Sequence, residues 1–202
     1  MKRHIPNLLT VGRLVGAGVF IALLSVWTPG SDPVLLLVSA IVFAVAVVTD
    51  ALDGYLARKW AVVSMFGRVM DPLADKVIVL GGFVMLASPA FVLGDGTVLS
   101  GVAPWMVVVI LARELLVTAI RSVMEARGID FSASLSGKLK MIVQSVAIPL
   151  VLVLAWVHQG GDGDAWIPGA NRWVAWAVLV VTVASGVPYV TRAIKARAQL
   201  TD

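Results

Sequence analysis

The chain has 202 residues, 59% of them hydrophobic and only 14% charged, with a formal net charge of +4. A mean hydropathy of +0.95 excludes an ordinary soluble domain, and the pI near 9.8 reflects membrane topology, with no nucleic-acid partner implied. With no cysteine, neither a disulfide nor a thiolate metal site can form.

Six windows carry no Asp, Glu, Lys or Arg: residues 14–31, 33–49, 77–94, 96–112, 141–161 and 173–191. Each approaches the ~20-residue apolar run that crosses a hydrocarbon core, and in lipid such a segment must be helical to satisfy its own backbone. The first window has no A-x-A cleavage site and is followed by five more, so it reads as a retained helix and not a signal peptide. Gly-, Pro- and Asp-rich turns at 28–33, 94–101 and 159–171 close one end of the bundle. That end carries Asp32, Asp95, Asp162 and Asp164, with Arg172 as its single cation. The other end receives Lys2, Arg3, Arg13, Arg58, Lys59, Arg68, Lys76, Arg113, Arg121, Arg127, Lys138, Lys140, Arg192, Lys195 and Arg197. The positive-inside rule makes that end cytoplasmic. Trp27, Trp60, Trp105, Trp156, Trp166 and Trp173 all fall near predicted span ends, where interfacial belts are expected. The fold expected is an all-α integral membrane protein, a six-transmembrane-helix bundle with both termini cytoplasmic and one domain over residues 1–202.

Residues 49–76, TDALDGYLARKWAVVSMFGRVMDPLADK, concentrate four aspartates on that cytoplasmic side. Asp50 and Asp53 are spaced i, i+3, with Gly54 and Ala57 continuing the same helical face. Asp71 and Asp75 are spaced i, i+4 on the next helix. Two antiparallel helices could therefore aim two carboxylate pairs into one space. Four carboxylates near a low-dielectric region repel one another unless cations or protons compensate. Oxygen ligands without His or Cys favour Mg²⁺ or Mn²⁺ over zinc, and two such ions would neutralise the four charges. Simpler explanations compete. Asp71 before Pro72 has the pattern of a helix N-cap, and Asp50 and Asp53 could pair with Arg58, Lys59 or Arg68.

The pattern Asp50-x-x-Asp53-Gly54-x-x-Ala57-Arg58, eight residues, then Gly67-x-x-x-Asp71-x-x-x-Asp75 resembles the signature of the CDP-alcohol phosphotransferases. The flanks IPNLLTVGRL, RELLVTAIR at 113–121 and SGKLKMIVQ at 136–144 are similar to the branch that uses sn-glycerol 3-phosphate. Cardiolipin synthases share some of them. The resemblance implies transfer of the phosphatidyl group of CDP-diacylglycerol to an alcohol, with release of CMP, at the cytoplasmic face of a cell membrane. It implies that Asp50, Asp53 and Asp71 ligate one metal ion and Asp50, Asp71 and Asp75 a second, with Asp75 as general base. It further implies that Gly54, Arg58 and Ser64 contact the cytidine diphosphate, with Asn7 and Thr10 nearby, and that homodimers are a common assembly.

A phosphorylated acceptor needs cations. Arg113 and Arg121, eight residues apart, fall close to one helical face, and Lys138 and Lys140 open the next span on the same side. All four also fit ordinary positive-inside anchoring, although Arg113 lies at the end of an apolar run, where a charge needs a reason. His4 and His158 lie at opposite ends of the bundle and read as incidental, and Glu125, Arg127 and Asp130 read as a solvated connection. Two rival functions follow from the same residues: a cardiolipin synthase with phosphatidylglycerol as acceptor, and a cation transporter. Transporters usually place such groups at the midplane between internal repeats, and no repeat occurs here.

Overall fold

The computed structural model describes the backbone of residues 5–60, 65–129, 135–161 and 164–198, and the side chains of 11–50, 73–129, 135–161 and 164–196. The described residues form α1 (Ile5–Val26), α2 (Val34–Trp60), α3 (Met65–Leu86), α4 (Pro104–Ala126), α5 (Leu135–Gly160) and α6 (Ile167–Ala198), with a 3-10 turn at Pro89–Phe91. No strand occurs among them beyond an isolated antiparallel bridge between Val92 and Val98. The sequence dictates several of the boundaries. Pro104 opens α4 after Ala103 in extended backbone, where its missing N–H costs nothing. At the other end Gly128, at φ +74, turns the chain away, and its N–H returns to the Glu125 carbonyl at 3.0 Å.

Helix α1 packs on α2 and α3, α2 on α5, α5 on α6, and α4 on α6, while α3 touches α4 and α5 more lightly. The core joins Phe20 to Phe43, with ring centroids 5.3 Å apart, and continues through Ile78, Phe83, Ile110 and Ile148. A smaller cluster of Val117, Met124 and Tyr189 lies between α4 and α6, near the C-terminal end of each helix. The exterior is as apolar as the core. On α6, Trp173, Trp176, Val180, Val183 and Val187 form an exposed stripe at helical spacing, and Val34, Val38, Ile41, Val45 and Val48 form another on α2. Helices α5 and α6 are long and apolar enough to cross a membrane; the apolar stretches of α1 and α2, Val11–Val26 and Val34–Asp50, are shorter. Exposed apolar surface of this extent needs lipid as its solvent. This is a membrane protein.

Four expectations change. Trp27 is not interfacial: it is 1% exposed and packs on Phe91 at 4.8 Å, whereas Trp105, Trp166 and Trp173 stand exposed. Helix α3 begins at Met65, so Asp71 lies inside it and cannot be its N-cap. Glu125 belongs to α4 and not to a connection, pairing with Arg121 one turn earlier at 3.5 Å; Asp130 lies outside the described residues. The window at 96–112 is helical only from Pro104. Residues before it fold back against two helix ends: Ser100 Oγ donates to the Leu86 carbonyl at the end of α3 at 2.6 Å, and Asn171 Nδ2 at the start of α6 donates to the Leu99 carbonyl at 2.8 Å.

Gly101 makes that docking possible. Its φ is +67, and a Cβ there would lie 2.4 Å from the Arg172 backbone nitrogen. Gly101→Ala is expected to destabilise the fold by about 3 kcal/mol, combining left-handed strain with a backbone clash. Thermal unfolding in detergent measures this, and a shift within error of wild type would show that the loop relaxes freely.

Candidate active site

The candidate site lies at the end of the bundle where α2 leaves and α3 enters. Positions 50, 53, 54 and 58 lie on α2, positions 71 and 75 on α3, and positions 7 and 10 on α1. Ser64 lies outside the described residues, as do the side chains of Asn7, Thr10, Asp53, Gly54, Arg58 and Asp71. Asp50 on α2 and Asp75 on α3 are the two of these aspartates whose side chains are described. Asp75, half-buried, feels the charges of Asp50, Lys140, Arg13 and Glu114.

Arg13 departs from its expected role as a topology signal. Only 3% exposed inside α1, it places Nη1 2.5 Å from Asp50 Oδ1. The sequence offered Arg58, Lys59 and Arg68 as partners for Asp50, but the described one comes from the first helix. A guanidinium in an apolar helix needs a counter-charge, and a carboxylate at the inner edge of α2 supplies it. Asp50 and Asp75, with no cysteine in the chain, offer oxygen donors of the kind a hard divalent cation takes, and no group of three or more His, Asp or Glu side chains placed to hold a metal occurs among the described residues. His158 does not contribute: it contacts the Asp164 carbonyl in the loop after α5.

Next to Asp75 opens a cavity of about 400 Å³ walled by α3, α4, α5 and α6. Its α4 wall consists of Arg113, Glu114, Val117, Thr118, Arg121, Ser122 and Glu125, a repeat of i, i+1, i+4, i+5 and onward that marks one continuous helical face. Helix α5 adds Gly137, Lys138, Lys140 and Met141, and α6 adds Tyr189. Arg113, Arg121, Lys138 and Lys140 therefore share one space with Asp75. Lys76, which drew no site expectation from the sequence, lines it too and donates to Thr118 Oγ1 at 2.8 Å. Five cations stand against three carboxylates there (Asp75, Glu114 and Glu125), so the cavity favours an anion.

Arg113 is held firmly. Its Nη2 donates to Ser185 Oγ at 2.8 Å and its Nη1 to Glu114 Oε1 at 3.2 Å. Gly186 leaves room for the stem, since a Cβ at that position would meet Arg113 Cγ at 3.4 Å. Lys140 Nζ donates to the same Glu114 oxygen at 2.6 Å. Glu114 was legible only as an anion abutting Arg113; nothing in its spacing announced Lys140 as a second partner.

An anion bound in this cavity would lie beside the Asp75 carboxylate. The chain is a member of the CDP-alcohol phosphatidyltransferase family, whose sequence pattern matches residues 3–184. It is 33% identical to the "CDP-diacylglycerol–glycerol-3-phosphate 3-phosphatidyltransferase" of Bacillus subtilis, over 94% of each chain. It is 37% identical to the "Probable phosphatidylglycerophosphate synthase" of Mycobacterium tuberculosis, over 95% of this chain and 82% of that one. A Cereibacter sphaeroides protein with the same name as the Bacillus one is 33% identical, over 92% of this chain and 77% of its own.

Proposed function

We propose that the chain transfers the phosphatidyl group of CDP-diacylglycerol to sn-glycerol 3-phosphate, giving phosphatidylglycerophosphate and CMP. The observation that carries this reading is the single cavity in which Asp75 shares walls with Arg113, Arg121, Lys138 and Lys140. The acceptor printed in the names of the relatives agrees with it. The whole chain acts as one domain of six membrane spans, with both termini and the site on the cytoplasmic side of the cell membrane. The donor's acyl chains then stay in lipid while the soluble acceptor arrives from water.

In the reaction, the acceptor hydroxyl oxygen bonds to the phosphorus that carries the diacylglycerol. The bond from that phosphorus to CMP oxygen breaks, CMP leaves with the electron pair, and the hydroxyl proton passes to the Asp75 carboxylate. No redox change occurs. Asp50, Asp53, Asp71 and Asp75 would hold two Mg²⁺ or Mn²⁺ ions, which supply stabilisation for charge developing on the pyrophosphate oxygens. Gly54 gives the nucleotide room at the backbone, and Arg58 offers the diphosphate a planar fork that Lys could not copy. Ser64, with Asn7 and Thr10, completes the contacts to cytidine diphosphate. Arg113, Arg121, Lys138 and Lys140 orient the acceptor by its phosphate, which raises the effective concentration of its hydroxyl beside Asp75. Arg13 holds Asp50 in place through their ion pair.

The test is release of CMP from CDP-diacylglycerol by purified protein in detergent, supplied with sn-glycerol 3-phosphate. Excess chelator is expected to lower the rate to background, and Mg²⁺ or Mn²⁺ to restore it. Turnover that survives chelation would contradict the metal assignment, and an absence of CMP release under all conditions would favour a transporter.

A further inference from the structure

Glu114 is a carboxylate that the proposed reaction does not use, yet it lies in the wall of the cavity that the acceptor would enter. It is 8% exposed, on a helix otherwise rich in aliphatic residues. A buried charge of this kind is costly unless its partners compensate, and its partners here are two of the cavity's cations. Lys140 Nζ and Arg113 Nη1 both donate to Oε1, at 2.6 and 3.2 Å, so one oxygen atom fixes the separation of the two cationic heads.

The contacts extend in a chain across three helices. Arg113 Nη2 donates to Ser185 Oγ on α6 at 2.8 Å, and Ser185 Oγ donates to the Thr182 carbonyl at 2.7 Å. Thr182 Oγ1 accepts from Gln144 Nε2 on α5 at 3.0 Å, and Gln144 lies one turn beyond Lys140. Gln144, Thr182 and Ser185 are all buried. Lys140, Glu114, Arg113, Ser185, Thr182 and Gln144 thus form a chain of polar contacts from α5 through α4 and α6, whose two ends lie one turn apart on α5. Inside a low-dielectric bundle such a network stiffens its members. Among the described residues it also leaves donors unspent. An arginine has five N–H groups and a lysine ammonium three, and these contacts engage two of the first and one of the second.

We propose that Glu114 is a positioning residue: it holds Arg113 and Lys140 at a fixed separation, with their unspent donors available to one phosphate monoester dianion. This rests on the proposed acceptor and goes beyond it, because it explains why an anion-binding cavity keeps a buried carboxylate in its wall. Without Glu114 two like charges on long stems would repel and splay, and ordering them around a phosphate would fall to the ligand. The idea has a distinctive sign. If Glu114 acted only through its field, it would oppose an incoming phosphate, and neutralising it would tighten binding. A positioning role requires the opposite.

The experiment is steady-state kinetics of Glu114→Gln and Ser185→Ala in detergent with Mg²⁺. Glu114→Gln is expected to raise the KM for sn-glycerol 3-phosphate about tenfold, with the KM for CDP-diacylglycerol held within about twofold. Ser185→Ala loosens Arg113 from the other side without changing any charge, and is expected to raise the acceptor KM a few-fold. An acceptor KM that falls or stays unchanged in Glu114→Gln overturns the proposal. Should that variant fail to fold, an unchanged acceptor KM in Ser185→Ala overturns it equally. A second readout separates this idea from the reaction itself: the rise in unfolding temperature that sn-glycerol 3-phosphate or inorganic phosphate gives the detergent-solubilised protein. Wild-type protein that gains stability from phosphate but releases no CMP, with the gain lost in Glu114→Gln, would keep the clamp and overturn the reaction. CMP release with identical acceptor KM in wild type and Glu114→Gln would keep the reaction and overturn the clamp. Neither CMP release nor phosphate-dependent stabilisation in the wild type would overturn both.

Discussion

Asp75→Asn is expected to lower the turnover number for CMP release by about 10²–10⁴-fold, the usual contribution of a positioned general base, and by more if metal affinity falls with it. The substitution keeps size and shape but removes the group that would take the acceptor's proton. Stability is expected to change little, by about 1 kcal/mol or less, because Asp75 is half-buried and already faces the like charges of Asp50 and Glu114. The pairing of lost activity with retained folding separates a chemical role from a structural one. Rates by CMP release and unfolding temperature on the same preparation check it. A variant that turns over at more than about a tenth of the wild-type rate would remove Asp75 from the chemistry.

Arg113→Glu should act on the other substrate. A charge-assisted bond to phosphate contributes roughly 1.5–3 kcal/mol, and reversing the charge adds repulsion, so the KM for sn-glycerol 3-phosphate should rise about a hundredfold. The KM for CDP-diacylglycerol should stay close to wild type. Arg113 is partly buried against Ser185 and Gly186, so reversal also strains the fold. Arg113→Lys provides the milder control: it keeps the charge but loses the planar fork, and about a tenfold rise is expected. Acceptor kinetics unchanged in both variants would mean that the cations of α4 serve only to orient the protein in the membrane.

Much of this was readable from residue spacing. The helical character followed from six uncharged windows, and the aspartate pattern between residues 50 and 75 carried the family assignment through its length and strict spacing. Arg113 and Arg121 could be placed on one face because eight residues nearly complete a whole number of helical turns, and they do line one cavity. What the sequence withheld was tertiary. Hydropathy ends α2 near Asp50 and starts α3 near Val77, yet the helices run on to Trp60 and back to Met65, because helix geometry does not stop where lipid does. The depth of Arg13 against Asp50 depends on how α1 and α2 pack, which no local window records. Trp27 fell at a span end and looked interfacial, but the loop after α3 folds Phe91 over it. Glu114 was invisible as a partner of Lys140 because 26 residues and a change of helix separate them.

The identity of the acceptor can be measured directly by competition. Purified protein with CDP-diacylglycerol and Mg²⁺ is offered sn-glycerol 3-phosphate, phosphatidylglycerol, inositol phosphate and serine at equal concentration, and the lipid products are identified by mass spectrometry. The cationic cavity beside Asp75 predicts phosphatidylglycerophosphate as the dominant product, formed mole for mole with CMP. Cardiolipin as the dominant product, with glycerol 3-phosphate untouched, would contradict the account.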